Sequence, residues 1–131
     1  MARIVIAEDE EGLRGFVTRA LALDGHEVTA TADGAEALDI ITRRDGEFDL
    51  LLADVRMPVM DGIALALATA RDYPGLTILL MTGYVDQRER AHGLDALIHD
   101  VINKPFTLSE IRNAVNLALR ADDGGWTTDD R

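Results

Sequence analysis

The chain has 131 residues, 47% hydrophobic and 28% charged, the composition of one globular domain able to bury about two-thirds of its unfolded surface. Its 24 acidic and 13 basic side chains give a formal charge of −11, which disfavours DNA, RNA and anionic lipid as partners and favours metal cations and basic protein patches. It has no cysteine, so disulfide scaffolds and thiolate metal sites are excluded, and no apolar run has the length of a signal peptide or membrane span; a cytoplasmic location is expected.

Arg3 to Ala7 reads as a strand, an unbroken apolar run that ends at Glu8-Asp9-Glu10-Glu11. Leu13, Phe16, Val17, Ala20 and Leu21 then recur at helical spacing, and Asp24-Gly25 stops the helix. Glu27 to Thr31 is a second strand, less apolar than its neighbours, which suits a sheet edge. Asp33 can cap a helix that buries Ala37, Leu38 and Ile41 and ends near Asp45-Gly46. Leu50 to Ala53 has the length and composition of a strand buried on both faces, and Asp54 stands where it stops. Pro58 and Asp61-Gly62 force a loop before a helix over Ile63 to Ala70, closed by Tyr73-Pro74-Gly75.

Thr77 to Met81 is a fourth strand ended by Thr82-Gly83. In the segment Tyr84 to His99, Val85, Ala91, Leu94 and Ile98 hint at a helix that Gly93 weakens by about 1 kcal/mol. Asp100 to Asn103 is a short fifth strand ended by Lys104-Pro105. Thr107 and Glu110 form a capping box for a last helix with Leu108, Ile111, Val115 and Ala118 inward. The expected organisation is one domain over 1–120 and a disordered polar tail over 121–131.

Strands alternating with helices imply an α/β domain around a five-stranded parallel sheet with helices on both faces, a flavodoxin-like (βα)5 arrangement. The weak second strand favours the order 2-1-3-4-5, which makes the first and third strands neighbours at the switch point where such sheets bind ligands. Glu8 and Asp9 then converge on Asp54. Three carboxylates so placed raise one another's pKa unless a cation joins them, and Mg²⁺ prefers such oxygen ligands while keeping waters for an incoming phosphate. Thr82 and Lys104 bring a hydroxyl and an ammonium to the same rim. Each residue alone reads as a cap or turn; together they offer a carboxylate nucleophile, a divalent cation and two donors, a set that can form an aspartyl phosphate.

These residues resemble a response-regulator receiver domain over Arg3 to about Arg120. The resemblance rests on Glu8-Asp9, Asp54 with Met57-Pro58 and Asp61-Gly62, Met81-Thr82-Gly83, and Lys104-Pro105-Phe106. It implies that Asp54 is the phosphoacceptor and that Glu8, Asp9, Asp54 and the Arg56 carbonyl hold Mg²⁺. It also implies that Thr82 and Lys104 bind phosphoryl oxygens, that the Lys104–Pro105 bond is cis, and that a histidine kinase or histidine phosphotransfer protein is the donor. No output domain follows in the sequence, so a stand-alone regulator is expected. It would be no enzyme beyond self-catalysed phosphotransfer and autodephosphorylation. The amino terminus, Met81-Thr82-Gly83-Tyr84 and the stretch from Gln87 to Leu97 are similar to CpdR-type regulators of alphaproteobacterial cell-cycle phosphorelays. That likeness implies delivery of substrates to the ClpXP protease by the unphosphorylated form.

Two positions depart from the family pattern: Val101 replaces an aromatic residue, and Leu97-Ile98 replaces a Gly-Ala pair. Because Val101 is short and β-branched, switching is expected to run from Thr82 through Tyr84 into the segment that follows. Rival functions are a passive phosphate sink, a hydrolase working through an aspartyl phosphate, and a nucleotide or flavin module. A hydrolase of that kind wants an aspartate where Arg56 stands, and the module wants a glycine-rich loop where Glu8-Asp9-Glu10-Glu11 stands. His26, His92 and His99 are expected to titrate at the surface, and Trp126 to be solvated.

Overall fold

A computed structural model describes residues 1–83, 89–91 and 93–122. The chain order is β1 (Arg3–Ala7), α1 (Glu11–Leu23), β2 (Glu27–Thr31), α2 (Gly34–Arg43), β3 (Leu50–Asp54), α3 (Gly62–Asp72), β4 (Thr77–Thr82), β5 (Asp100–Asn103) and α4 (Leu108–Asp122). All pairings are parallel and the sheet order is β2-β1-β3-β4-β5, as the strand composition predicts. β3 is buried at every position, whereas β2, at the edge, is buried only at Thr31.

Alternating side chains of the central strands feed two cores. Val5, Leu51, Ala53, Ile78 and Leu80 pack under α2 and α3 with Ala37, Ile41, Leu65 and Ala66. Ile4, Ile6, Leu50, Leu52, Leu79 and Met81 pack under α1 and α4 with Val17, Leu21, Ile111 and Val115. Among the described residues, no helix is long and apolar enough to cross a membrane.

The helix starts follow the predicted caps. Asp33 accepts the Glu36 amide at 2.8 Å, and Thr107 and Glu110 exchange bonds at 3.1 and 2.7 Å. Leu108, expected inward, is 37% exposed: the capping box sets it in the first turn of α4, and the stripe turns inward only at Ile111. His26 is not a surface group either. Its Nδ1 accepts the Ala2 amide at 3.1 Å and its Nε2 is buried. In the segment after β4, Glu89 to Ala91 are helical, Ala91 is buried and turns lead to β5. Residues 84–88, His92 and Trp126 lie outside the described residues, and with them the expected role of Tyr84.

Candidate functional site

Sheet register builds the site. Ala7 pairs with Ala53 and Asp54 with Met81, so the next step along β1 sets Glu8 beside Asp54. Thr82 pairs with Asn103, and the Lys104 amide donates to the Thr82 carbonyl at 2.8 Å, which brings Lys104 to the same edge. Gly62 closes the loop after Asp54: its amide donates to the Val55 carbonyl at 2.9 Å, and a Cβ there would stand 2.2 Å from the Asp54 carbonyl oxygen. Only glycine permits that approach.

One carboxylate oxygen from each of Glu8, Asp9 and Asp54 lies within 4.8 Å of the other two. Lys104 Nζ stands 2.8 Å from Glu8 Oε1 and 3.1 Å from Asp54 Oδ1. Glu8 and Asp54 are buried, Asp9 is exposed. Burial pushes the Glu8 carboxyl above the usual range; the Lys104 and Glu10 hydrogen bonds pull it back, and the Asp54 charge adds to the rise. Burial likewise raises Asp54 against the pull of Lys104. Burial would lower the Lys104 ammonium, yet the Glu8 and Asp54 carboxylates together hold it above its ordinary value.

Three carboxylates against one ammonium leave this cluster with an excess of two negative charges, and desolvation makes two of the carboxylates costly to ionise. A hard divalent cation fits that donor set. The groups open into a pocket of about 650 Å³ that Glu10, Arg56, Met57, Pro58 and Gly83 complete. Thr82 ends β4 beside this rim and is buried; it is Gly83, the next residue, that lines the pocket. The Lys104–Pro105 peptide bond is cis. Val101 is buried beside Leu80 in the core under α2 and α3, with Ala91 and Ile98 in the same cluster.

The model of the response regulator receiver domain matches residues 4–116. The chain belongs to the response regulator receiver domain family. Response regulator MprA of Mycobacterium sp. (strain KMS) is 34% identical over 118 residues, 90% of this receiver and 50% of that protein. MprA of Mycobacterium avium (strain 104) is 35% identical over 118 residues, 90% of this chain and 51% of the relative. The receiver thus spans about half the length of these relatives. A CheY-like receiver domain protein from Methanospirillum hungatei JF-1 superposes with a TM-score of 0.84 at 26% identity, over 95% of this chain and 98% of its own. Response regulator TrrA from Thermotoga maritima, solved in complex with Mg(2+)-BeF, gives a TM-score of 0.80 at 25% identity, over 90% of this chain and 99% of that one.

Two residues of the receiver site escaped sequence reading. Glu10 caps α1, accepting the Gly12 and Leu13 amides at 3.1 and 2.6 Å, and also lines the pocket. Arg14 reaches back from α1 to the turn that carries Glu8 and Asp9. Glu10 was legible as an acid before a helix; Arg14 looked like any polar position of an amphipathic helix.

Proposed function

We propose that this receiver takes a phosphoryl group onto Asp54 from the phosphohistidine of a histidine kinase or histidine phosphotransfer protein, and that the modification switches a protein–protein interaction. The single observation that carries the reading is Asp54 lining a pocket together with two further carboxylates whose oxygens lie within 4.8 Å of its own, and with the Lys104 ammonium 3.1 Å away. In the transfer an Asp54 carboxylate oxygen forms the new O–P bond as the P–N bond to the donor imidazole breaks. The imidazole leaves with that electron pair. Glu8, Asp9, Asp54 and the Arg56 carbonyl would hold Mg²⁺, which when bound neutralises charge on the phosphoryl oxygens. Lys104 offers its ammonium to the same oxygens, and Thr82 its hydroxyl.

A protein donor is favoured by the surface next to the pocket. Leu13, Phe16, Pro105 and Phe106 line an apolar cleft of about 430 Å³ that shares Glu10 and Lys104 with the site. A helix bearing the phosphohistidine could bury apolar side chains there while presenting its imidazole to Asp54. We further propose, on sequence likeness to CpdR-type regulators, that the output is substrate delivery to ClpXP by the unphosphorylated form.

Acetyl phosphate with Mg²⁺ should add one phosphate, mapped to Asp54 by peptide mass spectrometry, and Asp54→Asn should take none. Phosphate on another residue of the wild type would overturn the assignment. A reconstituted ClpXP assay should show degradation that depends on the receiver and ceases on phosphorylation; dependence only on the phosphorylated form would sink the output reading.

A further inference from the structure

The turn between β1 and α1 carries two of the three clustered carboxylates, so its shape decides where they point. Its polar backbone groups have a traceable set of partners. The Glu8 amide donates to the Thr31 carbonyl at 3.1 Å, the Glu10 amide to Glu8 Oε2 at 3.1 Å, and the Glu10 carbonyl accepts the Arg14 amide at 2.9 Å. Arg14 adds side-chain contacts to two carbonyls of the turn. Its Nη1 donates to the Glu8 carbonyl at 2.9 Å and lies 3.5 Å from the Asp9 carbonyl. Among the described residues Arg14 makes no ion pair with a carboxylate, so its guanidinium grips the main chain of the turn rather than its acidic side chains. Its own helical position is fixed in turn, with Thr18 Oγ1 bonded to the Arg14 carbonyl at 2.7 Å and the Arg14 amide to Glu10.

We propose that Arg14 is a positioning residue for the divalent cation: one guanidinium, anchored in α1, fixes the main chain of both metal-ligating acids and so pre-sets their carboxylates. The inference rests on the reading of the acidic cluster as a Mg²⁺ site. An unbraced turn would let Glu8 and Asp9 move apart under mutual repulsion, and binding would have to restore their approach. Arg14 touches no reacting atom, so its loss should weaken cation binding without slowing transfer once the cation is bound.

The test is Mg²⁺ titration by calorimetry of the wild type, Arg14→Gln and Arg14→Met, two removals that suit a helix, with melting in EDTA to establish folding. Either folded variant should bind Mg²⁺ about tenfold more weakly, the lower end of the usual effect of groups that orient metal ligands. Arg14→Lys, which keeps a charged donor, should recover part of that loss. At saturating Mg²⁺ the rate of phosphorylation by acetyl phosphate should stay within about twofold of wild type. Affinity within twofold of wild type in a folded Gln or Met variant would overturn the proposal, as would a rate defect that persists at saturation. Absence of Mg²⁺ binding by the wild type would instead remove the reading of the site, and this inference with it.

Discussion

Lys104 Nζ lies 2.8 Å from Glu8 Oε1, joining the end of β5 to the end of β1 across 96 positions of sequence. Glu8 is 1% exposed, so the ammonium offsets a charge that water barely reaches. Lys104→Met should therefore destabilise the cation-free protein by about 3 kcal/mol, the usual result of stripping one partner from a buried pair. It also leaves the acids with a larger excess of negative charge, so millimolar Mg²⁺ should raise the melting temperature more than in wild type. Equal Mg²⁺ gains in the two proteins would contradict the shared-charge account of the cluster.

Asp54 behaves in the opposite sense. Burial holds its carboxyl above the ordinary range in spite of Lys104. A carboxyl whose folded pKa is raised costs stability in full above that pKa, and the cost is relieved as pH falls through it. Asp54→Asn carries no such cost. In EDTA near neutral pH it should melt a few degrees above wild type, about what 1 kcal/mol produces in a domain of this size. The gap should close as pH falls toward about 4. A variant that melts lower than wild type at neutral pH would show that the Lys104 contact outweighs desolvation.

The same physics explains how far the sequence could be read. The apolar runs of β1, β3 and β4 and the weak edge strand β2 were sufficient for the sheet order, because burial on two faces and on one leaves different patterns. Strand ends then located Glu8, Asp9, Asp54 and Lys104. What the pattern could not carry were contacts made by long side chains across the fold. Arg14 bonded to the Glu8 carbonyl and Arg112 bonded to Asp24 have no periodic signature. Nor does Val59, a β-branched residue that stands at φ 68° in the loop after Asp54, where composition would suggest glycine or asparagine.

Arg112 of α4 meets Asp24, the C-cap of α1, with Nε 3.0 Å from each carboxylate oxygen. An acid at that helix end opposes the dipole, and the guanidinium offsets it. The Arg112 hydrogen bonds hold the Asp24 carboxyl below its ordinary range. A depressed folded pKa stabilises fully above the unfolded value, about 3.9, and the benefit is lost as pH falls through the folded value. Arg112→Met should thus melt below wild type at neutral pH, with the two curves converging in acid. Parallel curves across the whole range would mean that the arginine acts through packing of its stem alone.

Thr69 offers a stability test remote from the chemistry. It is fully buried on α3, and among the described residues its hydroxyl has no hydrogen-bond partner, while its carbonyl accepts the Tyr73 amide at 2.7 Å. An unsatisfied buried hydroxyl forgoes its bonds to water and receives nothing in return, a cost on the order of 1–3 kcal/mol. Valine keeps the branched shape at Cβ and has nearly the same helix propensity as threonine, so the exchange removes the polar atom with little else changed. Thr69→Val should stabilise the receiver by about 1 kcal/mol and raise the melting temperature by a few degrees. Because α3 is anchored to the site through Gly62, at the opposite end of the helix, Mg²⁺ affinity and the rate of Asp54 phosphorylation should not move. A Thr69→Val protein no more stable than wild type would show that the hydroxyl is satisfied in solution. A changed phosphorylation rate would show that α3 transmits packing to the loop after Asp54.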